Sequence, residues 1–503
     1  MDGSVRAGKG HVMRCLTLAA ALRNYGARIT FSLGTEDQDA VHDVLRSGHS
    51  IVSDRPTELE PLDLDWLVVD HYQLDAAWEA QMRPLARQLM VIDDLANRPH
   101  EADLLLDQGY GAHEDHYRPL VNEGCRLLLG TDYTLLRPEF QSARRKRLTT
   151  SPTCAPRHMH LFFGSVDKHA LTERFARVIL EHQPNLQISA VIGCSYPSIS
   201  RLEALACRFP GRFKWQANVA SMADHIASCD VALGAPGMTT WERACIGLPS
   251  LYFAVAPTQV AVLQRLHAEG FCVYAGVASE VSNDQIANST EAFLGDAIRL
   301  RTLHERSLDA VDGKGVRRVC RAMLQAHVAD LATSVELSFG PVQLKAYLPA
   351  HDASTVEWLN DPSVREGFGY TGTTTIETHR AWVDANPQVV IFAIIGPDER
   401  HSGNVLLHLD TDETRAYLQM YVGPMDARGR GIGWHALQAA LCWAFDTADL
   451  KEVRLHTLPH NDTAASLYRK AGFVFKGTER VTLSNGMQRD QHTFVLHAHQ
   501  WID

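Results

Sequence analysis

Between residues 27 and about 135, apolar side chains come in short unbroken runs separated by stretches of helical periodicity. The runs ITFSL (29–33), WLVVD (66–70), LMVID (89–93), DLLLD (103–107) and RLLLG (126–130) are continuous rather than alternating. Strands of a parallel sheet covered on both faces have that character. The basic run Arg144 to Arg147 and the turn-rich TTSPTCAP (149–156) break the pattern. It resumes with HLFFG (160–164), ISAVIG (188–193), VALGA (231–235) and LYFAV (251–255), and a helical stretch at about 288–333 closes it. Two Rossmann-like α/β lobes follow, 1–148 and 149–333, with a ligand cleft between the carboxyl ends of their strands. From 337 to 503 the runs lengthen and become consecutive, as in VQLKAYL, VVIFAII, GNVLLHL, AYLQMYV and EVRLHTL. This predicts a mixed α+β domain.

Composition narrows the class. With 45% apolar and 21% charged residues over 503 positions, sizeable cores can form. A formal charge of −11 supplies no domain-wide positive field, so nucleic acid is not an expected partner. The basic run then reads as a solvated helix end or linker. The ten cysteines, from Cys15 to Cys442, include no C-x-x-C pair. Neither a zinc ribbon nor a disulfide framework fits, and reduced, mostly buried thiols are expected. No charged-then-apolar leader opens the chain, and no apolar run approaches the ~18 residues needed to span a bilayer. The expectation is a cytoplasmic protein without a membrane partner, a monomer or weak oligomer.

The sharpest local signal is Arg428-Gly429-Arg430-Gly431-Ile432-Gly433, placed after the strand run LQMYVG and before a helix with Trp434, Leu437, Leu441 and Phe445 on one stripe. Such a turn aims free backbone N–H groups and a positive helix end at an anion, and glycines let the backbone approach it closely. A plain Gly-rich turn has the same residues. A second element follows some thirty residues later: Asn461-Asp462-Thr463-Ala464-Ala465-Ser466-Leu467-Tyr468-Arg469-Lys470-Ala471-Gly472-Phe473. It reads as a short helix with an Asn cap and a Gly stop, with Asn461 and Tyr468 on one face.

Together, R-x-x-G-x-G after a strand and N-x-x-A-x-x-L-Y-x-K-x-G-F resemble the GNAT acetyltransferase superfamily over about 337–498. The resemblance implies acetyl-CoA as co-substrate, its pyrophosphate on the Arg428–Gly433 backbone. It also implies Met420, Tyr421 and Val422 as the strand edge beside the thioester, Asn461 at the same site, and Tyr468 as general acid for the departing thiolate. Many members carry a Glu on that strand as general base. LQMYV has none, which leaves a water chain, a residue elsewhere, or an amine arriving neutral. The opening of the domain (338–365) resembles ribosomal-protein and amino-sugar acetyltransferases, so a protein N-terminus or a sugar amine is the acceptor.

The N-terminus reads Asp2-Gly3-Ser4-Val5-Arg6-Ala7-Gly8-Lys9-Gly10-His11-Val12-Met13-Arg14-Cys15. It is neither a Walker A loop nor a dinucleotide fingerprint. What remains is a glycine turn presenting His11 at a helix N-terminus, a position that favours the neutral imidazole a general base requires. A surface-loop histidine is the plainer alternative. His71 and the Asp93-Asp94 pair lack a third ligand at matching spacing, so no metal is expected.

D-x-S-x-x-x-G-x-G-H-x-x-R-C, Val69-Asp70-His71-Tyr72, Ile92-Asp93-Asp94-Leu95 and Gly130-Thr131-Asp132-Tyr133 occur in that order, followed by Leu136-Arg137-Pro138-Glu139-Phe140. Phe163-Gly164-Ser165-Val166-Asp167 and Gly237-Met238-Thr239-Thr240-Trp241-Glu242 come next. In combination they resemble the pseudaminic-acid-pathway hydrolase family, which releases 2,4-diacetamido-2,4,6-trideoxy-L-altrose from its UDP conjugate. The resemblance spans about 1–325 and implies a two-lobed GT-B type fold and metal-independent, inverting hydrolysis. It implies that His11, beside Gly10, activates the attacking water and that Tyr72 lines the sugar pocket. Gly164 belongs to a phosphate loop, Gly237, Met238, Thr239 and Thr240 cradle the pyrophosphate, and Glu242 accepts from the ribose hydroxyls. Gln259 matches the second residue of an Asn-Gln pair. Thr258 replaces that Asn, and Ser165 replaces a second Gly.

The two implied activities interlock, since N-acetylation of a UDP-linked sugar amine precedes removal of UDP. That favours a sugar acceptor. A GT-B glycosyltransferase fused to a protein N-acetyltransferase, or a nucleotide-sugar sensor with degenerate sites, are the competing readings. One more expectation concerns the start. Only Met1 to Val5 precede the glycine turn, too few for a first strand of about five or six residues. The resemblance places a strand ending in Arg-x-Asp there, with Asp2 as its Asp, so about ten residues of that strand are expected upstream.

Overall fold

The computed structural model describes residues 9–33, 38–52, 64–148, 155–193, 196–217, 219–332, 337–368, 372–482 and 488–501. The residues bearing on an upstream strand, Met1 to Val5, lie outside these. The chain divides into two compact units, Met1–Met323 and Leu324–Asp503.

In the first unit, β1 (Thr30–Ser32) and β2 (Ser50–Val52) form a parallel pair. Beside them in sequence, β3 (Leu64–Asp70), β4 (Ala86–Ile92), β5 (Leu104–Asp107) and β6 (Arg126–Leu129) make a four-stranded parallel sheet in that spatial order. Leu89, Met90, Leu104, Leu105 and Leu106 are all at most 1% exposed, as strands covered on both faces must be.

The second lobe carries β7 (His158–Phe162), β8 (Gln187–Ile192), β9 (Phe213–Ala217), β10 (Val231–Gly234), β11 (Ser250–Ala254) and β12 (Val273–Val277). All six are parallel, in the order β12-β11-β10-β7-β8-β9. Renumbered within the lobe this is 3-2-1-4-5-6, the doubly wound order, and its topological switch falls between β7 and β10. The expected Rossmann-like lobes are present.

The helix Gly315–Leu324 departs from the expected division at 149–333. Its buried Val316, Val319, Cys320 and Met323 join Val12, Leu16, Val44, Met90 and Leu104 in the core of the first lobe. The cause is amphipathicity: those four positions share one helix face, and the first lobe supplies the apolar surface it meets.

The second unit holds one eight-stranded sheet. Its strands are β13 (Leu337–Phe339), β14 (Val342–Ala346), β15 (Val389–Ile395), β16 (His401–Leu409), β17 (Arg415–Val422), β18 (Glu452–Thr457), β19 (Val474–Thr482) and β20 (Gln488–His497). All neighbours are antiparallel except β17 and β18. The helix Ile432–Cys442 covers one face, with Ala436, Leu437, Ala440 and Leu441 fully buried. Of the expected stripe on this helix, Leu437, Leu441 and Phe445 are buried, whereas Trp434 is only partly so and lies under the Lys470 ammonium. The short helical turn Val328–Ala332 packs in the same core, so this unit begins earlier than 337.

Candidate functional site

The helix Lys9–Arg23 places His11, Arg14 and Cys15 on one face, because residues three and four apart stack along a helix. That face meets Asp70, the last residue of β3, which is 1% exposed. His11 Nδ1 lies 2.5 Å from Asp70 Oδ1. Arg14 grips the same carboxylate with two nitrogens, Nε to Oδ2 at 2.7 Å and Nη2 to Oδ1 at 2.6 Å, and the Cys15 thiol donates to Oδ2 at 3.2 Å. Burial by itself would raise the Asp70 pKa, but the Arg14 charge and the hydrogen bonds from Arg14 and His11 carry it below the usual carboxylate range. An ionised Asp70 accepts from His11 Nδ1–H, which leaves Nε2 as the lone-pair nitrogen. The nearest partner of His11 is thus a buried carboxylate.

Tyr72 stands edge-on to the His11 ring, centroids 4.6 Å apart, and its hydroxyl donates to Asp94 Oδ2 at 3.4 Å. Burial and the Asp94 charge raise its pKa, so the phenol stays protonated. Asp93 is spent elsewhere: it accepts from the Leu95 and Ala96 amides, Arg98 and Tyr117.

The second lobe contributes the loops at its switch point. Gly164 follows β7 with φ +99, and Gly237 follows β10 with φ +150; among the described residues no atom stands within 4 Å of the site of a Cβ at either. Gly237 caps the helix Met238–Cys245, where its N–H donates to Thr240 Oγ1 at 3.1 Å. Met238 and Thr239 are half-buried beside it. The two helix starts meet across the lobes: a Cβ on Gly10 would stand 3.5 Å from Met238 Cγ. Gly10, His11, Gly237 and Met238 thus converge.

Two expected ligand contacts have partners of their own. Glu242 accepts from Arg137 Nη2 at 3.3 Å, and burial raises its pKa despite that charge. Gln259 turns its carbonyl onto the Val255 and Ala256 amides at the start of its helix.

In the second unit, β17 and β18 pair from Arg415–Glu452 through Leu418–Leu455 and no further. Gln419 to Val422 still pair with β16 on their other side. The segment that includes Met420, Tyr421 and Val422 therefore has one open edge, where backbone groups can take a partner. Gly429 (φ +74) and Gly431 (φ +81) form the turn into the helix Ile432–Cys442, and a Cβ on Gly433 would stand 3.9 Å from Met420 Cε and Val422 Cγ2. Arg428 folds back, donating to the Val422 and Gly423 carbonyls and to Ser363 Oγ, which ties the loop to the strand end. Arg430 is exposed in this turn.

Asn461 caps the helix Asp462–Lys470 through Oδ1 to the Ala464 amide, 3.1 Å. On that helix Tyr468 is 8% exposed, packed on Phe473 and Phe494, and burial with Tyr417 nearby pushes its phenol up to about 12. A cavity of about 300 Å³ adjoins β17, lined by Gln419 and Tyr421 and also by Tyr347, His379 and Trp382.

The Acetyltransferase (GNAT) domain family matches residues 342–474. The uncharacterized protein MJ1062 of Methanocaldococcus jannaschii is 21% identical over 94% of this chain and 95% of its own. The spore coat polysaccharide biosynthesis protein SpsG of Bacillus subtilis is 24% identical over 64% of this chain and 96% of its own. The UDP-2,4-diacetamido-2,4,6-trideoxy-beta-L-altropyranose hydrolase of Campylobacter jejuni is 26% identical over 29% of this chain and 54% of its own. The chain joins a GNAT domain to a distant relative of that hydrolase. A spermidine N-acetyltransferase from Vibrio cholerae, solved with CoA and spermine, aligns with 32% of this chain and 99% of its own at 17% identity and a TM-score of 0.31.

For the GNAT domain, each residue singled out in sequence lies at the strand edge, the glycine turn or the helix 462–470. In the first unit, Arg14, Asp70 and Asp94 stand inside the quoted motifs, but no role at this site was assigned to them from sequence. The signal was there: an Asp ending an apolar strand, and H-x-x-R-C, whose spacing turns three polar groups toward one point.

Proposed function

We propose that the first unit hydrolyses a UDP-linked sugar and that the GNAT domain acetylates an amine of such a sugar. The observation that carries the first half is His11 held by Asp70 beside the Gly237–Met238 helix start. A histidine so oriented can accept a proton from water through Nε2, the role of a general base. Gly164 and Gly237 flank the switch point where doubly wound lobes take phosphates. Thr239, Thr240 and Glu242 are the residues for the rest of the nucleotide; Glu242 would exchange part of its Arg137 contact for ribose hydroxyls. Water attack at the anomeric carbon, on the face opposite UDP, gives inversion and free sugar.

In the GNAT domain the open edge of β17 would hold the acetyl thioester of acetyl-CoA, the Arg428–Gly433 turn its pyrophosphate, and Tyr468 would protonate the leaving thiolate. A phenol pushed up to about 12 keeps its proton across the physiological range. The order amine acetylation, then UDP release, makes a 2,4-diacetamido-2,4,6-trideoxyaltrose the product of this reading. Incubation of the protein with a UDP-linked hexose bearing a free C4 amine and acetyl-CoA, followed by mass spectrometry, tests it. Expected are the N-acetylated UDP-sugar, then free acetylated sugar and UDP. His11→Asn should halt the sequence at the acetylated UDP-sugar. UDP release that requires a sugar-alcohol acceptor would instead support a glycosyltransferase.

A further inference from the structure

β17 of the GNAT domain carries no carboxylate to take the acceptor's proton, and the cavity beside it has another candidate. Its lining includes Thr355, Thr373, Thr374 and Thr378 hydroxyls, the Asn404 and Gln419 amides, and the rings of Tyr347, Trp382 and Tyr421, with no carboxylate among the described residues. Among the described residues of the wall, the one basic side chain is His379, 7% exposed, on the helix Ile376–Ala385.

His379 is positioned from behind. Tyr347 donates its hydroxyl hydrogen to Asp352 Oδ1 at 3.1 Å, and the same oxygen lies 3.0 Å from His379 Nε2. With the tyrosine proton committed to Asp352, its oxygen accepts from Nε2–H, and Nδ1 becomes the lone-pair nitrogen. Nδ1 has no hydrogen bond to a described residue. Asp352 Oδ1 is also 3.9 Å from Nε2, close enough to stabilise an imidazolium, while Arg380 on the same helix balances the carboxylate. The charged and titratable groups about His379 are thus Asp352, Arg380 and Tyr347, with His351 behind Tyr347.

We propose that His379 is the general base of the acetyl transfer, and that its cavity takes a hydroxyl-rich ring bearing a single amine. This rests on the acetyltransferase reading above and adds the missing base and the acceptor class. Amides, hydroxyls and flat rings suit a sugar ring, which offers hydroxyls and C–H faces. A dicationic aliphatic amine would need a carboxylate for its second charge, and none is among the described residues of the wall.

The step balances. An ammonium gives one proton to His379 Nδ1, and the freed lone pair attacks the thioester carbonyl. A C–N bond forms and the C–S bond breaks with its electron pair on sulfur, which takes the Tyr468 proton. The nitrogen sheds its second proton to solvent, solvent reprotonates Tyr468, and His379 passes its proton to solvent. Burial lowers the His379 pKa, so the base is already neutral at pH 7.

The test uses the full chain with acetyl-CoA and the UDP-linked C4-amino hexose. His379→Gln keeps the bond to Tyr347 but cannot take the proton. Its kcat should fall about 10²-fold or more, with acetyl-CoA Kd within twofold and the acidic limb of the kcat–pH profile lost. Imidazole should restore part of the rate of His379→Ala. An aliphatic diamine should be acetylated at least tenfold less efficiently than the sugar amine by the wild type. His379 variants with wild-type kcat and an unchanged acidic limb would overturn the base, and preference for the diamine would overturn the acceptor class. If the wild type acetylates neither amine, the acetyltransferase reading falls, and this proposal with it.

Discussion

Asp70 Oδ1 sits 2.5 Å from His11 Nδ1 and 2.6 Å from Arg14 Nη2, so one buried oxygen orients the candidate base and neutralises a buried cation. Asp70→Asn separates these duties from bulk. A neutral amide no longer selects the Nδ1–H tautomer, and UDP release should fall by about 10²–10⁴-fold. It also takes from Arg14 its buried counter-charge and leaves the part-exposed Asp94, 3.3 Å away, as its remaining partner, a cost of about 1–3 kcal/mol in this unit. Both are measurable, by UDP release below the melting transition and by thermal unfolding. Acetyl transfer should be unchanged. Full UDP release by this variant would remove Asp70 from the mechanism.

Tyr468→Phe tests the acid. Its hydroxyl matters only as charge builds on sulfur, so kcat should drop while acetyl-CoA affinity holds, because Phe keeps the packing on Phe473 and Phe494. An unchanged kcat would assign the proton to water.

His160 offers a pH experiment on the second lobe. It is fully buried in β7, neither ring nitrogen has a hydrogen-bond partner among the described residues, and burial with the nearby Arg243 charge puts its pKa well below the ordinary value. The unfolded chain protonates near pH 6.5 and the folded one does not, so stability is retained above that pH and lost progressively below it. His160→Leu should stabilise the second lobe by about 1–3 kcal/mol at pH 7 for the removed unsatisfied group, read as a raised melting temperature, and by more at pH 5.5. Thermal unfolding at both pH values checks it; equal gains would break the argument.

Asp107, at the end of β5, gives the opposite sign. Burial pushes its pKa up to about 6, against hydrogen bonds from Gly109 and Tyr117. The folded state therefore holds a proton that the unfolded state has released, and stability falls as pH rises through 6. Asp107→Asn mimics the protonated form, and Tyr117 can still donate to Asp93. It should be more stable than wild type at pH 8, by up to about 3 kcal/mol, and equal to it near pH 4.

How much of this was legible depended on burial. Strands such as β4 and β15, buried in the middle of sheets, announce themselves as unbroken apolar runs. The edges of the six-stranded sheet did not: β9 reads FKWQA and is mostly exposed, and β12 reads VYAGV around a glycine. The hairpin of β19 and β20 escaped for the same reason, since polar residues dominate VFKGTERVT and QRDQHTFVLH. At the sites, local motifs exposed His11, Gly237, Gly431 and Tyr468, whose neighbours in sequence carry the signal. Asp70 and Asp352 work through partners 59 and 28 residues away, His11 and Arg380, and spacing says nothing about such pairs. His379 sat in an ordinary amphipathic helix with no motif around it.

The helix Gly315–Leu324 has one further consequence, for synthesis. The second lobe, with its strands between residues 158 and 277, is in effect an insert in the first, whose core closes only when Val316, Val319, Cys320 and Met323 arrive. On the ribosome the inserted lobe can complete its sheet while the first still lacks that strip, so the order of folding reverses the order of translation. A nascent chain whose emerged part ends near residue 310 should resist protease over the inserted lobe and be cut within the first.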